Sequence, residues 1–234
     1  MRARSSFAST ASTPQWWLDD LNAAAKAKPD AVLVPNVSSP GHLEDVAERL
    51  VDISADHKIR IWAMMETPLA MLNAGEIAAA AKDVETRLAA FVMGTNDLAK
   101  DTRAKITPGA HRCVPWLMGC VTAARAHGID ILDGVYNDLG NAEGFARECA
   151  EARDMGFDGK TIIHPNQIEP VQRCLLAERG GGRATRARSS PPSACRRTKT
   201  RASIAARRPH GGTAACRHGT ADSRDRAGDR GTRP

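Results

Sequence analysis

Apolar residues in this chain gather into five short, nearly unbroken runs, at residues 31–35, 60–65, 88–93, 129–132 and 160–163. None shows the strict alternation of a half-exposed strand. Such runs are expected of strands buried on both faces of a parallel sheet. Between them the apolar spacing lengthens to the helical period. Residues 42–53 place Leu43, Val46, Ala47, Leu50 and Val51 on one face, and residues 70–81 are rich in strong helix formers. Stretches 115–127 and 143–155 complete the helical set. Strand-then-helix order, repeated without long structureless loops, predicts an α/β fold of the (β/α) barrel kind. An open doubly wound sheet is the rival, but no glycine-rich phosphate loop follows any run.

Composition divides the chain in two. Residues 1–178 carry 18 Lys and Arg against 24 Asp and Glu, a net −6, whereas residues 179–234 carry 15 against 3, a net +12, making up the overall +6. The second part has Ile204 as its one large aliphatic and no aromatic residue. Such a segment buries too little apolar surface to offset its ordering entropy, so a disordered tail is expected. Its arginines would suit nonspecific phosphate binding, but without aromatics for base stacking a nucleic-acid partner is not favoured. The six cysteines show no CxxC pair, which fits reduced thiols in a cytoplasmic protein. No apolar stretch reaches the ~18 residues of a membrane span.

Two acids stand at matching places. Glu66 follows the 60–65 run, and Asp97 follows the 88–93 run within Gly94-Thr95-Asn96-Asp97-Leu98. Each has an ordinary explanation, a first-turn acid for Glu66 and an N-cap for Asp97. In a parallel barrel, however, the strand C-termini converge on one rim, where the two carboxylates would meet. Two carboxylates completed by water and substrate oxygens suit Mg²⁺, and Mn²⁺ would also fit. Asp133 to Asp138 (Asp-Gly-Val-Tyr-Asn-Asp) ends the fourth run and is either part of the same rim or an ordinary loop. The last run ends at His164-Pro165. No serine or cysteine triad is assignable.

Together the stretches 66–77, 93–101, 133–138 and 159–170 resemble, in order, the HpcH/HpaI aldolase and citrate lyase β-subunit family, over about residues 13–173. The resemblance implies a TIM barrel, usually a homo-oligomer, with Mg²⁺ held by Glu66 and Asp97. Gly94, Thr95 and Asn96 would shape the substrate pocket beside the metal, and His164 and Pro165 would lie near the coenzyme A arm. The implied reaction is reversible carbon–carbon cleavage of a 3-hydroxyacyl-CoA (citryl-, malyl- or citramalyl-CoA type) to an acyl-CoA and a 2-oxo acid, or hydrolysis of its thioester. Asn36 stands where relatives commonly carry lysine.

Five units fall three short of eight, so the resemblance implies an incomplete barrel, about strands 4–8 of the family fold. The family's substrate-binding arginine strand would precede residue 13, and its C-terminal lid would follow residue 173. Back-translation with GC-rich codons and a shifted frame gives family-like segments at both junctions. Residues 1–12 and 174–234 are therefore expected to be out-of-frame flanks of a genuine core, and a non-catalytic remnant is the alternative to an active lyase. The coding DNA around codons 1–13 and 171–186 tests this directly.

Overall fold

In the computed structural model, which describes residues 6–8, 14–105 and 113–176, the apolar runs become parallel strands. They are β2 (Ala31–Val34), β3 (Arg60–Met65), β4 (Leu88–Met93), β5 (Asp130–Asp133) and β6 (Gly159–Lys160). A sixth strand, β1 (Ser6–Ala8), lies where the sequence predicts none, and pairs in parallel with β2. Three residues are too few to register as an apolar run. The remainder of the 1–12 segment and the expected disorder of the tail beyond residue 176 fall outside the described residues.

Strand order follows chain order, β1 to β6, and every pairing is parallel. A doubly wound sheet reverses its order at a switch point; this sheet does not. Each helix returns the chain beside the strand it has just left. The helices are α1 (Pro14–Ala27), α2 (Pro40–Asp52), α3 (Pro68–Leu72), α4 (Ala74–Ala79), α5 (Thr95–Thr102), α6 (Val114–His127), α7 (Ala142–Met155) and α8 (Ile168–Leu176).

Both faces of the sheet are buried, which is why its strands do not alternate. Val32, Ile61, Ala63, Met65, Phe91, Met93 and Ile131 pack into one core with Leu43, Leu50, Ile77, Leu117 and Ala124 of the helices. The other face gathers Ala31, Leu33, Trp62, Ala90, Val92 and Leu132. Burying a side chain such as Phe91 contributes about 1.5–3 kcal/mol, so this double-sided core is the main support of the fold. Helices stop where the backbone turns left-handed, α6 at Gly128 (φ 72°) and α7 at Gly156 (φ 97°).

The predicted helix over 70–81 is broken. Asn73 leaves the helical path between α3 and α4, and its Nδ2 donates to the Ser38 carbonyl at 2.9 Å. A tertiary hydrogen bond thereby overrides the local propensity of an alanine-rich stretch. Among the described residues, no helix is long and apolar enough to cross a membrane.

Candidate metal centre

Strand register assembles the site. Met65 pairs with Met93, which sets Glu66 level with Gly94 at the ends of β3 and β4, and the Gly94 N–H donates to the Met65 carbonyl at 3.0 Å. Both methionines face the helical core, so by alternation Glu66 and Gly94 turn to the opposite face. Glu66 is only 4% exposed.

Its carboxylate has a backbone partner from the neighbouring strand. Val34 pairs with Ala63, so Asn36, two residues on, comes level with Met65. The Asn36 N–H donates to Glu66 Oε1 at 2.8 Å. Asn36 holds a left-handed conformation, φ 54°, which asparagine tolerates better than most residues. The contribution of Asn36 is its main-chain N–H, a donor that no side-chain pattern reveals. Around this point Ser38 and Thr67 share a hydroxyl–hydroxyl bond of 2.8 Å, and Thr67 caps α3 by accepting from the Ala70 N–H at 3.0 Å.

Asp97 arrives from the first turn of α5, which starts directly after Gly94. The N-cap that the sequence offered for Asp97 falls instead on Gly94, and Asp97 lies in the first turn. Glu66 and Asp97 come together: burial pushes the Glu66 carboxyl above the usual carboxylate range, the Asn36 N–H opposes that, and the adjacent Asp97 and then Asp101 carboxylates raise it further. Gly94 lies directly against Glu66, since a Cβ there would stand 2.4 Å from Glu66 Cβ and 2.6 Å from its Oε2.

These residues fit a hard divalent cation. A buried carboxylate facing a second carboxylate is stabilised by a cation between them, and the donors are oxygens, as Mg²⁺ prefers. Among the described residues, no group of three or more His, Cys, Asp or Glu side chains is placed to hold a metal ion. A cation between Glu66 and Asp97 would take these two carboxylates and leave its other positions to water or substrate oxygens.

The remaining predicted residues distribute around this pair. Thr95 is half-buried, and its Oγ1 would lie 2.7 Å from a Cβ on Gly134. The exposed amide of Asn96 pairs reciprocally with that of Asn137, at 2.8 and 3.2 Å. His164 and Pro165 lie beyond β6. His164 Nδ1 accepts from the Asn166 N–H at 3.2 Å, capping the short 3₁₀ turn Pro165–Gln167. Within the 133–138 segment, Asn137 reaches Asn96, but Asp133 turns the other way.

Asp133 belongs to a buried ion cluster that sequence reasoning missed. Lys160 Nζ donates to Asp133 Oδ2 at 2.6 Å and to Glu148 Oε1 at 2.7 Å, with the lysine side chain wholly inaccessible. Burial works to lower the Lys160 pKa, but the two carboxylates outweigh it and hold it above the ordinary lysine value. The signal was present as a lysine starting an apolar run, one strand after a run ending in aspartate.

The fold is thus a parallel α/β sheet with two acidic residues at the ends of adjacent strands. The chain belongs to the HpcH/HpaI aldolase/citrate lyase family, which matches residues 10–165. It is 49% identical over 155 residues to (3S)-malyl-CoA thioesterase of Cereibacter sphaeroides, covering 66% of this chain and 50% of that one. Against citrate lyase subunit beta of Haemophilus influenzae it is 31% identical over 160 residues, covering 66% and 54%. Among solved structures it resembles the Mycobacterium tuberculosis CitE protein in complex with magnesium and acetoacetate, with a TM-score of 0.60 and 26% identity, covering 73% of this chain and 66% of that one. A further complex of that protein holds magnesium, acetoacetate and coenzyme A, with a TM-score of 0.60 and 27% identity, covering 73% and 59%. The chain spans about half the length of the curated relatives it matches.

Proposed function

We propose that this chain carries the divalent-cation site of a CoA-ester enzyme built on part of a (β/α)8 barrel. Its reaction would be the reversible carbon–carbon cleavage of a 3-hydroxyacyl-CoA to an acyl-CoA and a 2-oxo acid. The observation that carries this reading is the meeting of Glu66 and Asp97 beside Gly94 at adjacent strand ends. The crystallised relative with magnesium and coenzyme A supports it.

When bound, Mg²⁺ supplies Lewis-acid polarisation of a substrate carbonyl oxygen. Glu66 and Asp97 would hold the cation, and the Asn36 N–H orients the Glu66 carboxylate. Gly94 keeps space at that carboxylate, Thr95 and Asn96 would shape the wall beside it, and the His164–Pro165 segment would lie near the coenzyme A arm. Mn²⁺ suits the same oxygen donors.

Hydrolysis of the thioester is the second reading, favoured by the 49% identity to a malyl-CoA thioesterase. Incubating the purified chain with malyl-CoA and Mg²⁺ separates the two. Acetyl-CoA with a 2-oxo acid marks the lyase, whereas malate with free coenzyme A marks hydrolysis. Either activity should vanish in Glu66→Ala. Mg²⁺ binding by calorimetry without turnover would identify the non-catalytic remnant, and a wild-type chain that binds no Mg²⁺ overturns the metal reading.

A further inference from the structure

The first turn of α5 is gripped from both sides. On one side Gly94 lies against Glu66. On the other, the loop after β5 meets the turn twice. Gly134 approaches Thr95 so closely that a Cβ would fall 2.7 Å from its Oγ1. Three residues later, Asn137 Nδ2 donates to Asn96 Oδ1 at 2.8 Å, while Asn96 Nδ2 donates to Asn137 Oδ1 at 3.2 Å. A reciprocal amide pair fixes the rotation of both side chains, because each amide acts as donor and acceptor in one plane.

The loop is itself anchored. The Tyr136 carbonyl accepts from Gln167 Nε2 at 3.0 Å, and Gln167 Oε1 accepts from the Ile163 N–H at 2.9 Å. Gln167 is 5% exposed and uses both ends of its amide. The Tyr136 ring packs on Phe145 of α7, with centroids 5.5 Å apart. Asn137 therefore projects from a loop held on two sides, and Asn96 immediately precedes Asp97.

We propose that Asn137 is a positioning residue for the metal site, acting through Asn96 to hold the first turn of α5 where Asp97 meets Glu66. This rests on the metal reading of the Glu66–Asp97 pair. Asn137 touches neither carboxylate in this role. Its effect is to keep Asp97 from swinging with a turn that is otherwise exposed.

The test is Mn²⁺ titration of the full chain followed by electron paramagnetic resonance, with melting of the metal-free protein measured in parallel. Asn137→Ala should weaken Mn²⁺ affinity about tenfold, the usual scale for groups that orient metal ligands, with little change in metal-free melting. Asn96→Ala should do the same, and the double variant should be no weaker than either single one. Asn137→Gln, which keeps the amide, should recover part of the affinity. Unchanged Mn²⁺ affinity in Asn137→Ala, or independent addition of the two losses, overturns the positioning role while leaving the metal site standing. A wild-type chain that binds no Mn²⁺ overturns both.

Discussion

A Cβ on Gly94 would stand 2.6 Å from Oε2 of Glu66, so these two residues occupy their places only together. Gly94 has φ −102°, a conformation open to any residue. Its need is for space rather than backbone freedom. The nearest atom to that Cβ is Glu66 Cβ, at 2.4 Å, so Gly94→Ala should displace the whole Glu66 side chain and its strand end, lowering metal affinity by about tenfold or more and costing about 1–3 kcal/mol of stability through overpacking. Calorimetric Mg²⁺ titration and chemical denaturation of the same variant check both numbers.

Glu66 also makes the metal-free protein sensitive to pH. Its folded pKa is raised above the unfolded value of 4.5. Below 4.5 the group is protonated in both states, and its favourable contribution is fully present. As pH rises through the folded value that contribution is lost, because the unfolded chain ionises more freely. Glu66→Gln keeps an acceptor for the Asn36 N–H and has no such loss. It should melt higher than wild type near neutral pH without metal. Adding Mg²⁺ should raise the melting temperature of wild type and leave the variant unmoved.

Lys160 is the only cation in its cluster, and removing it strands two carboxylates. Lys160→Met should cost about 3–5 kcal/mol, measurable by urea denaturation. Converting Asp133 to Asn and Glu148 to Gln in that background should recover part of the loss. Since the folded Lys160 pKa lies above 10.5, the cluster's support is complete below that value and fades as pH rises through the folded one. An alkaline melting series should show wild type losing its advantage over Lys160→Met there.

Two buried thiols should be inert in the native state. Burial pushes Cys120 and Cys149 up to about 12, leaving little thiolate at pH 8. Iodoacetamide followed by peptide mass spectrometry should find both unmodified in the folded chain and labelled in denaturant.

The strands and the acid pair were legible for one physical reason: a sheet buried on both faces writes continuous apolar runs, and in a parallel sheet each run ends at the same rim. Glu66 and Asp97 could be matched by position alone. Asn36 could not, because its donor is a main-chain N–H made available by a left-handed turn. The break at Asn73 was hidden by the helix-forming residues around it, since its cause is a carbonyl 35 positions away in the chain. For Asp133 the sequence leaves rim and ordinary loop equally open, because its partner, Lys160, lies on the next strand. Sequence periodicity reveals which face a strand residue takes only when its neighbours alternate, and here they do not.

Strand order that follows chain order keeps the distances along the chain short. The bond from Asn36 to Glu66 closes a span of 30 residues, and that from Asn96 to Asn137 a span of 41. The entropic cost of closing such loops is modest and grows slowly with length. The acid pair proposed to hold the metal is thus the product of three successive strand–helix units, with both carboxylates and the main-chain donor between residues 36 and 97. Cation binding should report on the folding of that stretch and of the Asn137 loop that braces it, like a local thermometer set into one side of the sheet.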